Sequence, residues 1–134
     1  MGSERSGLAA VAFGRRLFIR GGYDADGNVL RSVERFDPEH NKWEALPPMI
    51  SERYGAAAAA VGGRLYICGG RDFQTELNSV ESFDPTRQCW EPQPLMRWAR
   101  AWGAAATFCM PRSKLDSRPN EQAPVKELRL ARLP

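Results

Sequence analysis

One histidine and three cysteines are the sparse means this sequence offers for metal or nucleophilic chemistry. His40 stands in the turn after Asp37-Pro38, flanked by Glu39 and Asn41, and these neighbours point to a solvated imidazole rather than a metal ligand. Cys68, Cys89 and Cys109 are odd in number and far apart in sequence, so they suit buried or half-buried thiols in a reducing compartment better than a disulfide framework. No Gly-x-Ser-x-Gly, His-Glu-x-x-His, Walker A or Cys-x-x-Cys motif is present. Asp24 and Asp72 recur at a fixed spacing, which fits a turn better than general acid–base work. Neither a catalytic residue nor a metal or cofactor is expected.

The elements that would have to position any functional side chain are set by an internal repeat. Residues 13–22, Phe-Gly-Arg-Arg-Leu-Phe-Ile-Arg-Gly-Gly, return 48 positions later as 61–70, Val-Gly-Gly-Arg-Leu-Tyr-Ile-Cys-Gly-Gly. Residues 32–38, Ser-Val-Glu-Arg-Phe-Asp-Pro, return after 47 as 79–85, Ser-Val-Glu-Ser-Phe-Asp-Pro. The same shift pairs Trp43 with Trp90, Met49 with Met96 and Arg53 with Arg100. The one-residue change of register falls between Asp24 and Ser32, which marks a loop there.

Each unit holds four short apolar runs separated by turn residues: 8–13, 16–20, 32–36 and 42–46, then 56–61, 64–68, 79–83 and 89–93. One four-stranded sheet per repeat of this length is the signature of a propeller blade. The alanine runs 56–60 and 104–106 fit innermost strands that converge on a channel. Gly62-Gly63 reads as a tight hairpin, and Gly21-Gly22 and Gly69-Gly70 as strand ends approached closely by a neighbour. Trp43 and Trp90, on the outermost strand, can cover the flat face between blades. The fold expected is all-β: a partial propeller of two blades plus one inner strand. Unit 1 spans about 3–50, unit 2 about 51–97 and a partial unit 3 about 98–109, before an irregular tail at 110–134.

The net charge of +3 resides in that tail, and residues 1–110 are neutral. Its charges are mixed and diluted, so nucleic acid is not the expected partner. No run is long or apolar enough to span a bilayer and no signal-peptide pattern opens the chain, so a cytoplasmic location is expected.

Diglycine after an apolar strand, Ser-Val-Glu-x-Phe-Asp-Pro, a tryptophan six residues past that aspartate, then Pro-x-Met and an arginine together resemble the kelch repeat of BTB–kelch proteins. The likeness covers residues 3–109. It implies a disc of blades that presents loops on one face to a protein partner. In such proteins separate BTB and BACK domains engage the cullin-3 ubiquitin ligase, and other kelch proteins bind actin. The family places partner contacts on the loops after the second and fourth strands, here 23–31, 71–78, 50–54 and 97–102. Those loops carry Tyr23, Arg31, Arg53, Tyr54, Arg71, Phe73, Arg97, Trp98, Arg100 and Trp102. Arginines and aromatics are the usual anchors of protein interfaces, and several guanidinium groups on one face favour an acidic peptide. For Arg53 and Arg100, which repeat in register, pairing within the blade is an equal alternative. Other readings are a fragment of a larger kelch protein that is non-functional or self-associates to cover its open blade faces, and a fragment of a kelch-propeller oxidase or sialic-acid epimerase.

Overall fold

Alternating apolar residues between tight turns make each run a strand, and the computed structural model, which describes residues 4–105, places eight of them. They are β1 (Ala9–Phe13), β2 (Arg16–Arg20), β3 (Val33–Asp37), β4 (Lys42–Leu46), β5 (Ala57–Val61), β6 (Arg64–Cys68), β7 (Val80–Asp84) and β8 (Cys89–Gln93). They form two antiparallel meanders, β1-β2-β3-β4 and β5-β6-β7-β8. The fold is all-β, and the two sheets are successive blades of a partial propeller. The C-terminal part of the expected third inner strand and the whole expected tail lie outside the described residues.

The turns explain the register. Gly62 and Gly63 both have positive φ (56° and 79°), the geometry of a two-residue hairpin that matches strand twist, and this pins Val61 opposite Arg64. At the corresponding turn Gly14 and Arg15 adopt the same region, with φ of 57° and 61°. The Asp-Pro turns close differently. Asp37 Oδ1 accepts the backbone N–H groups of Glu39 and His40, and Asp84 Oδ1 those of Thr86 and Arg87. Each aspartate also takes an arginine one strand away: Arg16 at 3.0 Å from Asp37 and Arg64 at 3.2 Å from Asp84.

The core is the seam between blades. Val11 and Phe18 of the first blade pack with Ala60, Leu65 and Phe83 of the second, backed by Trp90. A second cluster joins Ala9, Val33 and Met49 to Ile67. Each fully buried side chain of the Leu, Ile or Phe kind contributes about 1.5–3 kcal/mol by leaving water. The alanines of β1 and β5 let these inner strands lie side by side. Trp90 spans the seam: its ring meets Phe83 at 5.2 Å, and its indole N–H donates to Pro47 O at 2.9 Å. Trp43 makes the equivalent ring contact with Phe36 at 5.0 Å.

Polar groups rivet the seam. The backbone of Arg53 bonds to the first blade: its N–H donates to Leu30 O, and its carbonyl accepts from Gly22 N at 2.8 Å. The side chain of Arg53 bonds to the second blade, donating to Gly69 O at 2.8 Å, Ser79 Oγ at 3.1 Å and Glu81 Oε1 at 2.6 Å. Glu81 further accepts the backbone N–H groups of Ile50 and Ser51. The diglycines serve this junction: a Cβ on Gly21 would lie 2.2 Å from Arg53 O, and one on Gly69 2.3 Å from Arg100 O.

Candidate interaction site

In each meander the β1–β2 and β3–β4 hairpins share one end of the blade. The β2–β3 loop and the link to the next blade share the other end. Loops 23–31, 50–54, 71–78 and 97–102 therefore converge on one face, away from the Asp-Pro turns. The loops are ordered by their own polar groups. Asp24 Oδ1 accepts the backbone N–H groups of Asp26 and Asn28, and Asp72 Oδ1 those of Gln74 and Thr75. These bonds hold both carboxyls below their ordinary value: for Asp24 the Asn28 side chain and backbone lead, for Asp72 the backbone N–H groups of Thr75 and Gln74. Both therefore stay anionic. The turn role expected for these aspartates is what the geometry shows.

Four of the expected residues meet. Tyr23 pairs through its backbone with Ser6, and Tyr54 with Arg71. The backbone N–H of Trp102 donates to Gly55 O at 2.7 Å, and its ring lies against Gly55. Tyr23 then meets Tyr54 edge-to-face at 5.6 Å, and Tyr54 meets Trp102 at 6.0 Å. With Phe73, Gly27 and Val29 these rings line an open cavity of about 340 Å³. A neighbouring cavity of about 400 Å³ is lined by Arg31, Ile50, Ser51, Glu52, Asp72, Phe73, Gln74 and Leu77. Phe73 is 80% exposed and forms the wall between the two.

The other expected residues divide. Arg97 and Trp98 are exposed and pair with each other, the guanidinium 5.5 Å from the ring centroid. The backbone of Arg100 is bound to the second blade through Leu77 O and Gly70 N. Arg71 faces Glu76 at 3.5 Å. Arg53 is 0% exposed and cannot touch a partner: pairing within the structure, the alternative left open for it, is its role. The reasoning that favoured an acidic peptide thus loses Arg53, which is neutralised by Glu81, and Arg71 is matched by Glu76.

Sequence reasoning passed over Gly27, Val29, Ile50 and Leu77, which line the cavities only because two loops approach one another. It also passed over Arg20. This last residue of β2 lies in register with Ala9 and Val33 at the seam, 0% exposed, with its guanidinium 5.7 Å from the Trp90 ring centroid. Among the described residues no acceptor reaches any of its three nitrogens, and burial pushes its pKa down to about 10. Arg20 stands 48 positions before Cys68, so a register comparison marks it as a charge that the second unit does not repeat, whereas Arg16 returns as Arg64. Burial raises the Cys68 thiol pKa, partly offset by the Arg53 and Arg20 charges. His40 is exposed in its turn, 3.1 Å from Asp37 Oδ2.

A family model described as the Kelch motif matches residues 4–50 and 52–97. The chain is similar to the F-box/kelch-repeat protein SKIP20 of Arabidopsis thaliana, 40% identical over 50 residues, which are 37% of this chain and 12% of that protein. It is also similar to Beta-scruin of Limulus polyphemus, 37% identical over 46 residues, 34% of this chain and 5% of that protein. The chain thus spans a small part of these relatives.

Proposed function

The chain belongs to the kelch-repeat family, and from that premise we propose that it is a protein-interaction module whose partner sits on the face formed by loops 23–31, 50–54, 71–78 and 97–102. One observation carries this reading. Phe73, Trp98, Trp102 and Ile50 are exposed on these four loops, with Tyr23 beside them, while among the described residues none of the exposed large aromatics lies at the opposite turns. Exposed aromatics concentrated at one end of a rigid scaffold are the usual anchors of a protein interface. The kelch family is mostly made of non-enzymatic interaction scaffolds, in line with this. Because one relative joins an F-box to its kelch repeats, holding a substrate for a ubiquitin ligase is the first role to test for a parent of these blades.

The test is a photo-crosslinking amino acid placed at Phe73, at Trp98, or at Glu39 in an opposite turn, in the chain expressed in cells. Adducts specific to Phe73 and Trp98, lost on competition with unlabelled chain, are expected. Equal labelling from Glu39 would reject the assigned face.

A further inference from the structure

The aromatic cavity differs from its surroundings in both shape and charge. Tyr23, Tyr54, Phe73 and Trp102 present rings from four separate segments, and Tyr23 and Trp102 each stand edge-to-face to Tyr54, with interplanar angles of 84° and 66°. The rings touch where Tyr54 meets its two neighbours, and with Phe73 they line one open space. The π faces carry negative potential and attract cations, most of all weakly hydrated ones. The framing loops add to it. The four loops 23–31, 50–54, 71–78 and 97–102 hold Asp24, Asp26, Glu52, Asp72 and Glu76 against Arg31, Arg71, Arg97 and Arg100, with Arg53 buried on Glu81. Arg71 is matched by Glu76, and Arg31 lines the adjoining cavity together with Glu52 and Asp72. Among the described residues no cationic side chain lines the aromatic cavity itself.

We infer that this cavity is an aromatic cage for a cationic side chain of the partner protein, the methylated ammonium of lysine or the guanidinium of arginine. This rests on the loop-face reading above and specifies its chemistry: the cation sits among the four rings, its stem runs past Phe73, and the flanking backbone crosses the adjoining cavity. An acidic segment is the disfavoured partner here, because the Asp24 and Asp72 carboxylates are fixed by their turns and cannot swing away.

The experiment is fluorescence polarisation of the full chain with a labelled glycine–serine peptide bearing one central trimethyllysine, arginine, norleucine or glutamate. The trimethyllysine or arginine peptide is expected to bind about tenfold or more tighter than the norleucine one, and the glutamate peptide weakest. Whichever cation binds tighter identifies the source. Phe73→Ala, at a largely exposed ring, and Asp72→Asn, which retains the turn's acceptor oxygen, are each expected to weaken the cationic peptide several-fold, with Asp72→Asn leaving norleucine unchanged. Equal binding of the norleucine and cationic peptides, both weakened by Phe73→Ala, would overturn the cage while leaving the loop face intact as an interface. Cationic binding indifferent to both substitutions, or no binding by any peptide, also overturns it.

Discussion

Replacing Arg53 by methionine removes a buried side chain that ties the second blade to a backbone already fixed on the first. The structure sets the size of the effect. Arg53 and Glu81 are both buried, and their contact is 2.6 Å. Without Arg53, Glu81 keeps the N–H groups of Ile50 and Ser51 but has no counter-charge, and Gly69 O loses its side-chain donor. Leaving one member of such a pair buried alone costs about 3–5 kcal/mol, a large fraction of the ~5–15 kcal/mol that holds an ordinary domain together. Arg53→Lys keeps the charge but not the planar fork, so it falls between. Glu81→Leu removes the opposite charge, and in the double variant neither charge is stranded. The two losses should therefore be less than additive by about 2 kcal/mol or more. Urea unfolding followed by tryptophan fluorescence on the four chains gives the cycle. Additive losses, or an Arg53→Met chain within about 0.5 kcal/mol of the parent, would refute the rivet.

Arg20 should behave in the opposite way. Its buried guanidinium lacks an acceptor among the described residues, and burial pushes its pKa down to about 10, so the fold disfavours the charged form. Arg20→Met is expected to raise stability by about 1–3 kcal/mol. Because a lowered basic pKa penalises the fold wherever the group is charged, the gap between the chains should narrow as pH rises above about 10; a destabilised variant in the same urea assay would show that the guanidinium is partnered. Gly21→Ala sets a Cβ 2.2 Å from Arg53 O at a φ of 63°, and should cost about 2 kcal/mol or more, whereas Gly62→Ala meets nothing within 4 Å and should cost about 1 kcal/mol; equal thermal shifts would refute the close-approach argument. Asp24, Asp37, Asp72, Asp84, Glu44 and Glu91 are all held below their ordinary values, so the native state favours their ionised forms. That stability is present above the unfolded values of 3.8–4.5 and is lost as pH falls through the lower folded ones. Denaturant midpoints measured between about pH 6 and 2.5 should fall steeply at the acid end, and a flat profile would show that the turns do not depend on the charge.

What was legible in the sequence is what a repeat states twice. Strands β2, β4, β6 and β8 begin and end where alternation and turn residues place them, β1 and β5 begin one residue later and β3 and β7 shift by one, because hairpin glycines and Asp-Pro turns fix register locally. Arg53 was legible as a repeated residue but not as a buried one. Its choice between partner and rivet depends on Glu81, 28 residues on in β7, and only blade packing brings the two together. The aromatic cavity divides along the same line. Tyr54 and Trp102 occupy one register position, each before a glycine, so their proximity follows from the period. Tyr23 and Phe73 occupy different positions, and they reach the same cavity because loops from neighbouring blades lean together. Residues that repeat in type, such as Arg53, Trp90 and the diglycines, are those the blades need for themselves. Side chains that change at a repeated backbone position escape that constraint, and Tyr54 giving way to Trp102, and Arg20 to Cys68, are such changes. Recognition should therefore be concentrated where the backbone repeats and the chemistry does not, and the cage formed by Tyr23, Tyr54, Phe73 and Trp102 meets that condition.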